Sequence, residues 1–133
     1  MTEIPIIAVI DDDAGVRSAI EDLLGSSGYR THVFEDAGEF LRSSAVYECN
    51  CVVSDFQMPE TSGIDLLRAL RFRRIDTPVI IISALMVPTV QAEIARAGAF
   101  SFVEKPFIPE TFLEAVRSAV AKSVRWSRVA TNR

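Results

Sequence analysis

The sequence predicts a single α/β domain built around a five-stranded parallel sheet. Five apolar runs of strand length alternate with stretches whose apolar residues have helical spacing. These runs span residues 6–10, 29–34, 51–54, 79–82 and 100–103. A repeated strand and helix pattern favours parallel strands joined by right-handed crossovers. At 133 residues, the chain has the length of one ordinary domain.

Five helices are predicted between and after the strands, each with one apolar face. Their markers along the chain are Val16, Ile20 and Leu24; Phe40 and Leu41; Ile64, Leu67 and Leu70; the segment from about Pro88 to Gly98; and the residues that follow Pro109. The runs at 51–54 and 79–82 are apolar almost throughout. The third and fourth strands are therefore predicted to be covered on both faces.

The charge balance argues against a nucleic-acid reader, which is usually basic. Asp and Glu number 18 against 14 Lys and Arg, and 49% of the residues are hydrophobic, as in a folded, mildly acidic protein. The segment from residue 121 onward differs, because it carries Lys122, Arg125, Arg128 and Arg133 without an acid. We therefore predict a domain over residues 1–122 and a basic C-terminal tail over 123–133, either a helix extension or the start of a linker.

No segment of the sequence resembles a secretion signal or a membrane span. The N-terminus lacks a basic stretch followed by an apolar core, and no apolar run approaches the ~20 residues that a spanning helix needs. We therefore expect a cytoplasmic protein without a membrane partner.

Cys49 and Cys51 lie two residues apart beside an apolar run. This spacing predicts that both side chains point the same way and pack as strand residues. A disulfide or a metal site is not expected, because the chain has no second cysteine pair and its one histidine, His32, stands alone.

Polar residues suited to phosphate chemistry follow four of the predicted strands. They are Asp11, Asp12 and Asp13 after the first strand, Asp55 after the third, Ser83 after the fourth and Lys105 after the fifth. In open parallel sheets the carboxyl ends of the strands meet at one edge, where ligands bind. We therefore expect these six side chains to meet in space.

Asp11, Asp12 and Asp55 are candidates for a cation site. Carboxylates packed together repel one another unless a cation offsets their charge. An oxygen-only set suits Mg²⁺, which takes one or two protein carboxylates together with waters and a phosphate. An alternative is that the acids cap the helix that begins near Ala14 and favour its N-terminal dipole. Asp13 is expected to do only that.

Asp55, Ser83 and Lys105 are candidates for phosphate chemistry. A carboxylate such as Asp55 can attack phosphorus, although Asp before a proline-containing loop is also a common turn residue. Pro106 restricts Lys105 to an extended backbone, and a lysine that faces carboxylates can balance their charge and hold a phosphoryl oxygen. Ser83 offers a hydroxyl, but taken alone it is more often a turn residue.

Together, these motifs resemble the receiver domain of the response regulators of bacterial two-component signal transduction. The segments that carry the resemblance are VIDDD at 9–13, SDFQMPETSG at 54–63, IISA at 81–84 and FVEKPF at 102–107. They have the order and spacing of the family, and the likeness covers residues 4 to about 121. It implies a flavodoxin-like, CheY-like fold with one doubly wound parallel sheet of strand order 2-1-3-4-5, flanked by five helices.

The resemblance also implies a chemistry. Asp55 would accept a phosphoryl group from the phosphohistidine of a sensor histidine kinase or a histidine phosphotransfer protein, and Ser83 and Lys105 would grip that group. Gln57 and Leu85 occupy positions that tune hydrolysis of the phosphate in the family. The protein would be a switch rather than an enzyme, because it is itself the substrate. The implied Mg²⁺ ligands are Asp11, Asp12, Asp55 and the backbone carbonyl of Gln57.

A switching role is implied for Ser83 and Phe102. In the family, Ser or Thr at the first position moves toward the new phosphate, and the aromatic residue at the second changes its rotamer. The fourth helix, fifth strand and fifth helix would form the output surface and the contact of a phosphorylation-dependent homodimer. Two features depart from the family pattern: Ile108 replaces a small polar cap, and Val87 with Pro88 begins the fourth helix.

Other interpretations stay open at this point. The chain could be a receiver fragment of a longer helix-turn-helix transcription regulator, with Arg125, Trp126 and Arg128 beginning a linker; direct nucleic-acid binding by this chain is not expected. It could be an interaction module of the same fold that is not phosphorylated, although such modules usually lose a site residue. A flavodoxin-like cofactor binder needs a Ser/Thr/Gly-rich phosphate loop where three acids stand, and a haloacid-dehalogenase-like phosphatase needs an acid at Gln57.

Overall fold

The computed structural model describes residues 4–85 and 87–131, with side chains described as far as residue 123. Each strand in this part of the chain is followed by one or two helices. The strands are β1 (Ile6–Ile10), β2 (Arg30–Phe34), β3 (Cys51–Asp55), β4 (Val79–Ser83) and β5 (Ser101–Glu104). The helices are α1 (Ala14–Ser26), α2 (Ala37–Leu41), α3 (Ala45–Glu48), α4 (Gly63–Phe72), α5 (Pro88–Arg96) and α6 (Pro109–Thr131).

The strands form one parallel sheet in the order β2-β1-β3-β4-β5. The predicted fold class and strand order are therefore confirmed, and each strand lies within one residue of its predicted bounds. The edge of the sheet at which the carboxyl ends of these strands meet is called the rim below.

The described chain has six helices, one more than predicted. Asp36 caps α2, its side chain accepting a hydrogen bond from the Glu39 amide at 2.8 Å. The helix ends at Leu41, and the hydroxyl of Ser43 then accepts a hydrogen bond from the Ala45 amide at 3.0 Å. Because Ser43 offers the backbone an alternative to helical hydrogen bonds, the stretch divides into α2 and α3. The predicted fourth and fifth helices correspond to α5 and α6.

Two apolar cores cover the two faces of the sheet. Alternate residues of a strand point to opposite faces. Ala8 and Ile10 of β1 therefore pack in the core that includes α2, α3, α4 and α5, whereas Ile7 and Val9 pack in the core that includes α1 and α6. β3 and β4 are almost completely buried, as the apolar runs predicted, while β2 and β5 form the sheet's edges and are more exposed.

The two cysteines lie in different cores, and the prediction that their side chains point the same way is wrong. Cys49 follows α3 and packs in the core with α4, while Cys51 opens β3 and packs in the core with α1 and α6. Strand alternation does not apply to Cys49, because it precedes the strand. Both thiols are free. Burial raises the pKa of Cys49 to about 12 and also raises the pKa of Cys51, so neither is a thiolate at neutral pH.

Two helices begin at the rim with side-chain caps. The Asp13 carboxylate accepts a hydrogen bond from the Val16 amide at 3.1 Å, which stabilises the start of α1. Ser62 and Asp65 form a reciprocal capping box at the start of α4. These caps fix the directions in which the chain leaves β1 and the loop after β3.

Gly63 opens α4 at a position where a side chain does not fit. A Cβ atom there would lie 2.6 Å from the Asp55 carbonyl oxygen and 2.9 Å from Cδ1 of Ile81. We expect Gly63→Ala to lower the free energy of unfolding by about 1–3 kcal/mol, because contact with a backbone atom is relieved only by shifting the end of β3. Urea unfolding measures the loss. Gly25→Ala is the control, because a Cβ at Gly25 meets nothing within 4 Å; equal losses would contradict the steric argument.

α6 continues past residue 122, the predicted end of the domain, and reaches Thr131. The predicted basic residues Arg125, Arg128 and Arg133, together with Trp126, lie outside the residues whose side chains are described. The boundary between domain and tail therefore stays a prediction. Within residues 4–85 and 87–131, none of the helices is both long enough and apolar enough to span a bilayer.

Candidate functional site

Four strand-end side chains meet at the rim. Asp11 and Asp12 follow β1, Asp55 ends the neighbouring strand β3, and Lys105 follows β5. One carboxylate oxygen from each of Asp11, Asp12 and Asp55 lies within 4.8 Å of the others, and these three residues are called the acid cluster below. Asp12 is exposed, whereas Asp11 is completely buried. The cluster is therefore accessible to ligands from the side of Asp12.

Asp11 is held by hydrogen bonds on several sides. Its amide donates to the Phe34 carbonyl at 3.2 Å, which ties it to the end of β2. Its Oδ1 accepts from the Asp13 amide at 2.9 Å, and its Oδ2 accepts from the Lys105 ammonium at 3.1 Å. A buried carboxylate is tolerated only when such partners replace its water, so Asp11 is a fixed element of the site.

The Lys105 ammonium stands between two carboxylates, 3.1 Å from Asp11 Oδ2 and 3.4 Å from Asp55 Oδ1. Its backbone amide donates to the Ser83 carbonyl at 2.8 Å, and the peptide bond to Pro106 is cis. Burial alone would lower the pKa of this ammonium, but hydrogen bonds and attraction from Asp11 and Asp55 outweigh burial and raise it. Lys105 is therefore a permanent cation at neutral pH.

The surroundings of Asp55 disfavour its charged form. Burial raises the pKa of Asp55, repulsion from Asp11 and Asp12 adds to the effect, and attraction to Lys105 only partly offsets it. The side chain is 13% exposed, enough for an external group to reach it. A partly shielded carboxylate whose charge is incompletely balanced is suited to bind a cation or to attack an electrophile.

The acid cluster fits a small divalent cation. Its donors are carboxylate oxygens from three residues, close enough together to share one ion, and a hard cation such as Mg²⁺ prefers this donor type. One ammonium stands against these three acids, so an added positive charge would relieve repulsion at Asp55. The open side beside Asp12 leaves room for the waters that Mg²⁺ retains.

The Ser83 hydroxyl is not directed at the acid cluster in this structure. It donates to the Leu85 carbonyl at 3.1 Å and accepts from the Leu85 amide at 3.0 Å. Ser83 itself is buried, with 2% of its surface exposed. Its side chain therefore closes the turn after β4, and contact with a group bound at Asp55 would require it to leave Leu85. Gln57 lies exposed in the loop after β3.

Phe102 lies on the edge strand β5, opposite Ile81 in the register of the sheet, and is 39% exposed. Leu85, Val87 and Ile108 are also exposed, at 47%, 42% and 68%. All four are hydrophobic residues on or beside the elements α5, β5 and α6 that the sequence predicted as the output surface. Two of them, Val87 and Ile108, are the residues at which this sequence departs from the family pattern. These departures thus add exposed apolar area to the predicted surface.

Arg17 is a contributor that sequence reasoning missed, since it lies on α1 and not in one of the strand-end motifs. Its Nη1 donates to the Asp11 carbonyl at 2.6 Å, and its Nη2 lies 3.9 Å from Glu35 Oε1. A signal was present, because a cation in the first turn of a helix opposes the helix dipole.

The sequence of this chain has clear counterparts among known proteins. The sequence profile of the response regulator receiver domain family matches residues 7–117, most of the chain. The chain belongs to this family. Receiver domains are the signalling domains of two-component systems, so the resemblance read from the four motifs is confirmed.

Two curated relatives are transcriptional or response regulators. Transcriptional regulatory protein FixJ of Bradyrhizobium diazoefficiens is 34% identical over 117 residues, which cover 88% of this chain and 57% of FixJ. Response regulator protein TmoT of Ectopseudomonas mendocina is 36% identical over 115 residues, which cover 86% of this chain and 52% of TmoT. The chain thus spans about half the length of the curated relatives it matches.

Solved structures agree with the receiver fold. The receiver domain of Francisella response regulator 1452 has a TM-score of 0.84 and 31% identity, and the match covers 90% of this chain and 98% of that one. Response regulator StyR has a TM-score of 0.87 and 30% identity, with 98% of this chain and 66% of StyR covered. The CheY-like, doubly wound architecture is therefore shared along almost the whole receiver domain.

Proposed function

We propose that the chain is a phosphorylation-dependent switch of a two-component system, with Asp55 as the phosphoacceptor. The observation that carries this proposal is the Lys105 ammonium, which bridges the buried Asp11 and the reachable Asp55 at 3.1 and 3.4 Å. A nucleophilic carboxylate beside a fixed cation suits phosphoryl transfer, in which negative charge must be stabilised on the transferred group.

The proposed donor is the phosphohistidine of a sensor histidine kinase or of a histidine phosphotransfer protein. An oxygen of the Asp55 carboxylate attacks phosphorus while the bond from phosphorus to the histidine nitrogen breaks on the opposite side. The histidine nitrogen keeps the electron pair of the broken bond, and the proton on its other ring nitrogen makes the released histidine neutral. The other product is an aspartyl phosphate. Water later attacks the same phosphorus, which releases inorganic phosphate and restores the carboxylate. Because Asp55 is consumed in each transfer, the protein acts as substrate and switch rather than as an enzyme.

Asp11, Asp12 and Asp55, with the backbone carbonyl of Gln57, are the proposed ligands of Mg²⁺. When bound, Mg²⁺ would offset negative charge on the carboxylates and on the phosphoryl oxygens. Asp11 contributes through a carboxylate already held by Lys105 and the Asp13 amide. Asp12 contributes an exposed carboxylate at the open side of the cluster.

Lys105 and Ser83 are the proposed contacts of the transferred group. The Lys105 ammonium can turn one hydrogen-bond donor toward a phosphoryl oxygen while it keeps its contact with Asp11. The Ser83 hydroxyl would exchange its Leu85 partners for the phosphate, which frees the turn between β4 and α5. Movement of that turn, together with Phe102, is the proposed link to the exposed surface of α5, β5 and α6. A phosphorylation-dependent homodimer would use the same surface.

A second interpretation is that the chain acts as the receiver part of a longer transcription regulator. It is favoured by the matches to FixJ and TmoT, of which the chain spans about half. In that case the chain would regulate a further segment and would not itself contact nucleic acid. An unphosphorylated interaction module is less favoured, because Asp11, Asp55 and Lys105 are all in contact at the site. Both interpretations include a cytoplasmic location without membrane binding.

Small-molecule phosphodonors test the proposal directly. Incubation of the chain with acetyl phosphate and Mg²⁺ is expected to add one phosphoryl group, and hydroxylamine should remove it because it cleaves acyl phosphates. Intact-mass spectrometry measures the addition, and peptide mapping should assign it to the segment that contains Asp55. Excess EDTA serves as the control and should suppress labelling. Absence of labelling with Mg²⁺ present, or a stable phosphate on a hydroxyl, would contradict the proposed chemistry.

A further inference from the structure

We propose that Arg17 is a positioning residue for the acid cluster: by holding the Asp11 carbonyl it sets the path of the Asp11–Asp12 peptide and so the place of the Asp12 carboxylate. This inference rests on the proposed function, because it concerns the same cation site. It assigns a role to a helix residue outside the strand-end motifs.

Arg17 contacts both the Asp11 carbonyl and Glu35 through one guanidinium group, and this arrangement is called the clamp below. Its side chain is only 15% exposed, and Nη1 donates to the Asp11 carbonyl oxygen at 2.6 Å. Its Nη2 points toward the loop after β2, 3.9 Å from Glu35 Oε1, although Glu35 is 73% exposed. The planar guanidinium can contact the Asp11 carbonyl and Glu35 at the same time, which a single ammonium cannot do. Arg17 thus joins α1, the end of β1 and the loop after β2.

The Asp11 carbonyl belongs to the peptide that joins two residues of the acid cluster, Asp11 and Asp12. The Asp11 side chain is already fixed by the Asp13 amide at 2.9 Å and by Lys105 at 3.1 Å. The peptide that follows leads to Asp12, whose exposed carboxylate has no hydrogen bond or ion pair in the described part of the chain. Its position therefore depends on the backbone. Among the side chains that the structure describes, that of Arg17 alone donates a hydrogen bond to the carbonyl of that peptide.

A positioning role and a purely electrostatic role predict opposite results. A guanidinium beside the cluster repels a divalent cation, so loss of its charge alone would tighten Mg²⁺ binding. Loss of a clamp would weaken binding, since removal of a group that orients metal ligands typically costs about 10- to 100-fold in affinity. A role in folding alone would leave the affinity of the folded protein unchanged.

Calorimetric titration of Mg²⁺ into the metal-free chain separates these cases. We expect Arg17→Met to bind Mg²⁺ about tenfold more weakly than the wild type, and Arg17→Lys to recover part of the loss through one retained donor. Arg30→Met is the matched control, because Arg30 is exposed at the opposite end of the sheet and its loss removes the same charge. It should bind within about twofold of the wild type, since distant exposed charges are screened.

Hydrogen exchange of the Asp13 amide adds a measurement that needs no metal. This amide donates a hydrogen bond to Asp11 Oδ1. We expect its proton to exchange several-fold faster in Arg17→Met than in the wild type or in Arg30→Met. Equal or tighter Mg²⁺ binding by Arg17→Met, or unchanged Asp13 exchange, would overturn the inference. If Arg17→Met does not fold, the same two measurements on Arg17→Lys decide. Failure of the wild type to bind Mg²⁺ would instead count against the proposed function, while Asp13 exchange would still test the clamp.

Discussion

Asp55→Asn is expected to abolish labelling by acetyl phosphate while leaving the fold intact. The amide is nearly identical in shape to the carboxylate, so the packing around β3 is preserved, but it is a far weaker nucleophile toward phosphorus. Intact-mass spectrometry under conditions that label the wild type should show no added phosphoryl group. Asp65→Asn is a suitable control, because Asp65 is an exposed capping residue of α4 outside the acid cluster. Undiminished labelling of Asp55→Asn would overturn the assignment of the phosphoacceptor.

The same substitution is expected to stabilise the metal-free protein. Burial and the neighbouring acids raise the pKa of Asp55 in the folded state. Because its pKa is raised on folding, the Asp55 carboxyl contributes most to stability below its unfolded pKa of about 3.9. This contribution is lost as the pH rises through the folded pKa. At neutral pH in EDTA, the free energy of unfolding of Asp55→Asn should therefore be about 1 kcal/mol higher than that of the wild type.

The pH and Mg²⁺ dependence of this difference identifies its cause. The advantage of Asp55→Asn should shrink as the pH is lowered toward 4, because the wild-type carboxyl then becomes protonated. Added Mg²⁺ should also reduce it, since the ion stabilises the form that binds it more tightly. Urea unfolding at several pH values, with and without Mg²⁺, measures both trends. A stability difference that is constant across these conditions would show that ionisation of Asp55 is not responsible.

The sequence predicted the sheet and the acid cluster because both depend on local patterns. Apolar runs define buried strands almost to the residue, and polar residues directly after parallel strands must share one edge. Topology alone was therefore enough to predict the proximity of Asp11, Asp12, Asp55 and Lys105.

Features that depend on competition between nearby groups could not be predicted in the same way. The division of α2 from α3 follows from one Ser43 hydrogen bond, and the Ser83 hydroxyl is engaged by Leu85 rather than by the acid cluster. Cys49 leaves the strand register because a short helix ends there. Arg17 contacts a backbone carbonyl, an acceptor that every residue carries and that sequence cannot single out.

Lys105→Met is expected to slow phosphorylation by acetyl phosphate by roughly 10²- to 10³-fold, the usual cost of removing one donor that stabilises developing negative charge. The methionine keeps much of the apolar stem but removes the ammonium that lies 3.4 Å from Asp55 Oδ1. Time courses of labelling at saturating Mg²⁺ give the rate. Lys122→Met is the control, because Lys122 is exposed on α6 and faces the Phe100 ring rather than the rim. A labelling rate equal to that of the wild type would exclude Lys105 from transfer.

Lys105→Met should also destabilise the metal-free protein, because it leaves the fully buried Asp11 carboxylate without its cation. Breaking a buried pair in this way costs about 3–5 kcal/mol, and the 20% exposure of Lys105 argues for a smaller loss, about 2 kcal/mol. The raised pKa of Lys105 keeps this contribution present below about pH 10.4, the unfolded value, and it is lost as the pH rises through the folded value. Mg²⁺ should restore much of the stability of Lys105→Met, since a second cation can then balance the same carboxylates.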